Sequence, residues 1–180
     1  MGKIKKPKDV KLLFSLLTNK EKLIVEVSKI LSEKYGKIEE ISEKFEFTHT
    51  NYYTPELGEN LFRRFLVIKP LIPREHIALV KVFTNKVEEK FSINGKRQIN
   101  IDPGYITLEN FILFTTKNYT HRIYLESGIY ADLTLIFHKK EFHPLNWTYP
   151  DYREKIIRDY LKKIREKYKK QLNELEKEIS

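Results

Sequence analysis

The sequence predicts an α+β domain: a ferredoxin-like β-α-β-β-α-β first half, a β-hairpin extension and a long C-terminal helix. Three observations carry this. Two stretches with helical apolar spacing enclose two strand-like runs, an alternating apolar run follows a Glu-Ser-Gly turn, and the C-terminal segment repeats apolar residues every three or four positions. At 180 residues the chain has the length of a single domain with one core. We divide it into a basic flexible tail (1–9), the ferredoxin-like half (10–102), a turn, short helix and hairpin (103–146), and the C-terminal helix (151–180).

VKLLFSLLT is an apolar run suited to a buried strand ending near Thr18. Thr18-Asn19-Lys20-Glu21 has capping-box spacing, and Leu23, Ile24, Val27, Ile30, Leu31 and Tyr35 then share a helical face up to Gly36, which supplies the stop. Lys37 to Thr48 and LFRRFLVIK read as strands, with NYYTPELGEN as the loop between them. Pro73 opens a second helix carrying Ile77, Val80, Phe83, Val87 and Phe91 on one face. Asn94-Gly95 turns the chain, and KRQINI supplies the strand that completes the ferredoxin-like order.

Asp102-Pro103-Gly104 predicts a turn, because proline fixes φ at its second position and glycine accepts positive φ at the third. TLENFILFT fits either a strand or a short helix begun by Thr107, and we take the helix. HRIYL and IYADLTLIF form a hairpin about Glu126-Ser127-Gly128. Strict alternation sends Ile129, Ala131, Leu133, Leu135 and Phe137 to the core and Tyr130, Asp132 and Thr134 away from it. WTYPDYR is expected to lock the last helix onto the body. That helix carries Ile157, Leu161, Ile164, Tyr168, Leu172, Leu175 and Ile179 as a stripe. About 28 helical residues would span about 42 Å and outrun a small domain, which makes a homodimer through this helix a candidate alongside packing within the monomer.

Net charge is +9, from 34 Lys plus Arg against 25 Asp plus Glu, and favours acidic partners such as nucleic acids, nucleotides or phosphorylated metabolites. Much of the excess sits in Lys3, Lys5, Lys6 and Lys8 and in KKIREKYKK, where a solvated tail and helix face explain it equally well. Abundant Lys, Glu and Ile with few Gln match a thermophile's composition. With no cysteine there is neither a disulfide nor a thiolate metal site. The start MGKIKKPKDV lacks an apolar signal region, and no apolar run approaches the ~18 residues a membrane helix needs, so a cytoplasmic protein with no membrane partner is expected. The five histidines show no H-E-x-x-H spacing; His138 and His143 could bracket a metal across a tight turn, but with only Glu141 nearby they read as surface residues. No metal or cofactor is specified, and no nucleophile elbow or RNA-recognition signature occurs.

YYTPELGENLFRRF, GKRQINIDPGYIT, TTKNYTHRIYLESGIYADLTL and WTYPDYR, in this order, resemble the domain-of-unknown-function family 4416, over about Val10 to Lys170. Members are often labelled GTP-binding proteins, and the resemblance implies no catalytic residues. A P-loop needs G-x-x-x-x-G-K-[ST], so that backbone amides wrap the phosphates and lysine reaches them. The chain has no such run, which gives an ordinary GTPase no support from the sequence.

The candidate site consists of charges set where apolar residues are expected. Arg63 and Arg64 are successive strand residues and point to opposite faces, so one meets the buried side and needs a carboxylate such as Asp102 or Asp132, or a ligand anion held bidentately. His121 and Arg122 lie across the hairpin from Asp132, near enough for Asp132 to pair with Arg122 or orient His121. Arg63 and Arg122 are candidate anion clamps, Lys117 an added positive charge, Thr115 and Thr116 donors, and Tyr105, Tyr124 and Tyr130 rings for contact with a ligand. His121 with Asp102 or Asp132 is the candidate acid/base pair for phosphate-ester chemistry. A helical TLENFILFT would place Thr115 to Lys117 at its negative end, which counts against an anion. The expected function is binding of a small phosphorylated or nucleotide ligand, with catalysis left open. The alternative is a non-enzymatic RNA- or protein-binding module using the basic surface and exposed tyrosines.

Overall fold

The computed structural model describes residues 2–179, and residues 2–9 have no regular structure. The strands are β1 (Val10–Thr18), β2 (Ile38–Ile41), β3 (Phe45–Glu46), β4 (Phe62–Ile72), β5 (Asn100–Ile106), β6 (Asn110–Thr115), β7 (Arg122–Glu126), β8 (Ile129–His138) and β9 (Glu141–Pro144). They form one sheet in the order β2-β4-β1-β5-β6-β8-β7, with β3 beside β4 and β9 beside β8, and neighbouring strands run antiparallel. Helices cover both faces.

The period of two along β1 decides which helix meets which residue. Val10, Leu12, Phe14 and Leu16 point to one face and pack with Ile24, Val27 and Leu31 of α1 (Glu21–Tyr35) and with Ile77, Val80 and Val87 of α3 (Ile77–Lys90). Leu13 points to the other face, where Leu161, Ile164, Tyr168 and Leu172 of α5 (Lys155–Ile179) close over it. Apolar burial on both faces is the main force holding the layers together.

The N-terminal end of α1 is made differently than predicted. Thr18 does not form a capping box: its hydroxyl donates to the Gln98 carbonyl (2.8 Å) and accepts from the Lys20 amide (3.1 Å), and Lys20 stands at the N-cap without a side-chain cap. Gly36 does end the helix. Its φ of 101° suits glycine, and a Cβ there would lie 2.9 Å from Pro70 Cγ. The strand predicted over 37–48 is broken between β2 and β3, and the NYYTPELGEN loop contains a short helix, α2 (Thr54–Leu57).

Two other expectations are corrected. Asp102-Pro103-Gly104 is no turn but the middle of β5, and within TLENFILFT there is no helix: Thr107 to Glu109 connect the strands and NFILFT is β6. Partners on both sides override the local turn chemistry: β1 pairs with β5 along Lys11 to Leu17, and β8 pairs with β6 along its whole length.

The hairpin about Glu126 to Gly128 forms as predicted, with Ser127 and Gly128 at positive φ. Strict alternation along β8 fails at Thr134, which has no partner in β6 because the register moves from Leu133↔Ile112 to Leu135↔Phe111. The bulge turns the later residues over. Ile129 and Ala131 join the α1/α3 core, whereas Leu135 and Phe137 join the α5 core.

The chain reaches α5 through WTYPDYR, which docks as expected: Trp147 Nε1 donates to Leu133 O (2.8 Å), Thr148 Oγ1 to Thr134 O (2.6 Å), and the Tyr152 ring packs on Phe65 and Phe111. Its PDYR forms a separate turn of helix, α4 (Pro150–Arg153). The α5 stripe is covered by the protein's own sheet through Leu172, Leu175 is exposed, and the Ile179 side chain lies outside the described residues. No described helix is long and apolar enough to cross a membrane.

Candidate functional site

The β5–β6 ladder runs Ile106↔Phe111, Tyr105↔Ile112 and Gly104↔Leu113, then stops at Pro103, which has no N–H to donate. Gly104 sits at the last pair because a Cβ there would approach Ile112 O to 2.7 Å and Leu113 and Phe111 to 3.0 Å. Beyond it Asn100 to Pro103 stay with β1, while Phe114 and Thr115 stay with β8. A cavity of about 810 Å³ adjoins this fork, in the size range of small-molecule sites. Residues of α3 line it from one layer and Arg63, Asp151 and Tyr152 from the other, with Tyr52, Thr116 and Lys117 among its exposed lining.

Arg63 and Arg64 do face opposite ways. Arg64 reaches the α1 side and pairs with Glu21 (2.9 Å). Arg63 is buried, pairs with Asp151 (2.6 Å), donates to Ser15 Oγ and to Tyr152 OH (3.1 Å), and lies over the Phe47 and Tyr152 rings. Burial opposes its charge, but Tyr152, Asp151 and Asp102 outweigh that and raise its pKa above the ordinary arginine value. Its carboxylate is therefore Asp151, not Asp102 or Asp132.

Asp102 instead accepts from Lys81 Nζ (3.1 Å) and Asn100 Nδ2 (2.6 Å). Burial alone would raise its pKa; the Lys81 charge and these hydrogen bonds win and hold it below the usual carboxylate range. Glu88 goes the other way, pushed up by burial although Lys81, the Ile101 amide and Arg97 partly offset it. Arg97 in turn grips Glu56 bidentately, Nε to Oε1 and Nη2 to Oε2 both at 2.7 Å.

In the cavity wall, Asp132 accepts from Arg122 Nε (2.8 Å) and contacts His121 Nε2 (3.1 Å), both behind it, as the hairpin register predicts. Each nitrogen of Arg122 has a partner, Nη1 donating to Lys117 O (3.0 Å) and Nη2 to Tyr149 OH (2.5 Å). His121 stacks on Trp147 with ring centres 5.0 Å apart.

Of the residues nominated from sequence, Arg63, Asp102, Thr115, Thr116, Lys117 and Asp132 line the cavity, while His121 touches it through Asp132 and Arg122 through Asp132, Lys117 and Tyr149. Tyr105 lies in the α1/α3 core against Phe114, and Tyr124 and Tyr130 pair with each other on the hairpin. Because β6 is a strand, no helix end opposes an anion at Thr115 to Lys117. Sequence reading passed over Lys81, Glu88, Arg97, Asn100 and Asp151. A signal for two of them was present: Ile77, Lys81, Thr84 and Glu88 follow one helical face and are all buried.

Lys117 differs from the other cations of the lining. Arg63, Lys81 and Arg97 each have a carboxylate within 4.0 Å, whereas Lys117, among the described residues, has none and donates to Tyr52 OH (2.8 Å) across the mouth. That hydrogen bond and the Lys117 charge lower the Tyr52 pKa.

Fold and site define a small α+β protein with a polar cavity at a fork in its sheet. The chain belongs to the family described as Domain of unknown function (DUF4416), whose model matches residues 8–168. No curated protein and no solved structure matches it.

Proposed function

We propose that the protein binds a small ligand with a phosphate or carboxylate group, a phosphorylated metabolite or nucleotide, in the fork cavity. The carrying observation is Lys117: exposed at the mouth and without a carboxylate partner among the described residues, it stands beside the Thr115 and Thr116 hydroxyls. Binding is favoured over catalysis because His121, the acid/base candidate, does not line the cavity. The supporting scaffold reads as a ferredoxin-like unit, since β2-β4-β1-β5 are antiparallel neighbours with α1 and α3 on one face. The absence of cysteine agrees with a cytoplasmic setting.

Thermal shifts with phosphate, sulfate, nucleoside mono- and triphosphates and a short RNA, on wild type and Lys117→Ala, test the reading. Stabilisation of wild type alone is the expected result. A protein indifferent to every anion overturns it.

A second reading, RNA binding, draws on exposed rings: Tyr52 in the β3–α2 loop, Tyr119 in the β6–β7 loop that carries Lys117, and Trp147 and Tyr149 on the approach to α4. Salt separates the two. RNA affinity should fall log-linearly with salt over several phosphate contacts, and a pocketed small ligand should show a shallow slope.

A further inference from the structure

The chain carries a net charge of +9, yet its cavity does not share that sign. Arg63, Lys81, Arg97 and Lys117 are four lining cations and Glu88, Glu89, Asp102, Asp132 and Asp151 five lining carboxylates; with Arg122 paired to Asp132 from behind, the wall is close to neutral, and Glu89 among these carboxylates has no cationic partner among the described residues. The positive excess of the protein lies elsewhere, and a polyanion entering this cavity meets more carboxylates than cations. Six aromatic rings, Phe47, Tyr52, Tyr53, Phe114, Tyr149 and Tyr152, complete the wall. Carboxylates interleaved with ring faces are the environment that holds an ammonium or other cationic nitrogen, by ion pairing and cation–π attraction. Arg63 already demonstrates the mode, lying 5.3 Å from the Phe47 ring centre and 5.0 Å from that of Tyr152 while paired with Asp151.

We propose that the ligand of this cavity is a zwitterion, with one anionic group at the Thr115–Lys117 rim and an amine against the carboxylates and rings within. The proposal rests on the small-anion reading above and narrows it: one phosphate or carboxylate joined to a cationic nitrogen, not a polyphosphate.

Four probes decide it by calorimetry at one ionic strength: phosphoethanolamine, ethyl phosphate (the same anion without the amine), ethanolamine (the amine without the anion) and pyrophosphate. Phosphoethanolamine should bind about three- to thirty-fold tighter than ethyl phosphate, the range expected of a partly desolvated cation–π and ion-pair contact. Glu89→Gln and Asp102→Asn should each shrink that ratio while leaving ethyl phosphate affinity equal or better; Lys117→Ala should weaken both phosphates alike and leave the ratio intact. Two carboxylate variants are used because Asp102→Asn also disturbs Lys81. Equal binding of phosphoethanolamine and ethyl phosphate, or tightest binding of pyrophosphate, overturns the zwitterion and leaves the anion site standing. Binding of ethanolamine but of no phosphate, or of no probe at all, removes the anion site and the zwitterion with it.

Discussion

The two faces of β1 are built from one strand and follow opposite rules. Its even-numbered residues from Val10 to Leu16 are all apolar and buried under α1 and α3, whereas on the odd-numbered side Lys11, Leu13, Ser15 and Leu17 alternate polar with apolar, equally buried. Lys11 is satisfied by Glu39 (3.3 Å) and the Lys69 carbonyl (3.1 Å), and burial lowers its pKa; Ser15 accepts from Arg63. From β1 only apolar side chains meet α1 and α3, although α3 itself buries Lys81 and Glu88 where it reaches the fork. The other face tolerates polar residues wherever a dedicated partner exists, and the cavity opens between the two layers at the β5–β6 fork. Buried ion pairs seldom improve on apolar packing for stability, so a concentration of them beside a cavity points to binding rather than to folding.

The largest expected effect breaks this comparison at Arg63. Arg63→Ala leaves Asp151 buried without its partner and should cost about 3–5 kcal/mol in denaturant unfolding. The double variant Arg63→Met, Asp151→Leu replaces the pair by apolar groups of similar size and should recover most of that loss while weakening ligand response. Should the double variant unfold as readily as Arg63→Ala, the pair is structural in its own right and the contrast between the faces loses its meaning.

How far the sequence reveals each face follows from the same difference. The apolar face is legible, because periodicity reports burial directly: Ile24, Val27 and Leu31, then Ile77, Val80 and Val87, are on the faces their spacing predicts. The polar side is legible only where both partners lie in one hairpin, as with Arg122 and Asp132. The Arg63 partner, Asp151, is 88 positions later and belongs to a segment read as an anchor. Pro103 and Gly104 misled because turn chemistry is local, whereas their roles, ending a ladder and admitting a close strand, depend on β6. TLENFILFT carried both periods at once, and the pairing with β8, invisible locally, made it a strand.

Gly104→Ala probes the fork itself. With Ile112 O at 2.7 Å from the added carbon, β5 and β6 must separate, at an expected cost of about 1–3 kcal/mol, read as a lower melting temperature. An unchanged stability would show that the fork is not set by this close approach.

A smaller and pH-dependent effect is expected at Asp102. Its pKa is lowered in the folded protein, so its ionised form contributes stability that is complete above the ordinary carboxylate range and disappears as pH falls through the lowered value. Asp102→Asn should therefore cost about 1–2 kcal/mol at neutral pH, and the difference from wild type should vanish in acid. Glu88, raised by burial, has the opposite sign: its ionisation opposes folding, so stability should rise as pH drops from neutral through its range. Urea unfolding across a pH series separates the two. A constant Asp102→Asn difference down to strong acid would contradict the assignment.

The smallest effect on stability should come from the most informative cation. Lys117 is exposed and its ammonium donates, among the described residues, to Tyr52 OH alone, whereas Arg63, Lys81 and Arg97 line the same cavity in ion pairs. Substitution of an exposed residue away from such pairs usually changes stability by no more than about 0.5 kcal/mol, and Lys117→Ala should stay within that margin. Its loss should instead show in the Tyr52 hydroxyl, whose lowered pKa returns toward the ordinary phenol value once the Lys117 hydrogen bond and charge are gone, visible by ultraviolet titration against a Tyr52→Phe control. Anion-dependent stabilisation should disappear in the same variant. A Lys117→Ala protein that keeps its full response to phosphate would move the anion away from the rim and onto the paired arginine, reversing the division of labour between mouth and interior.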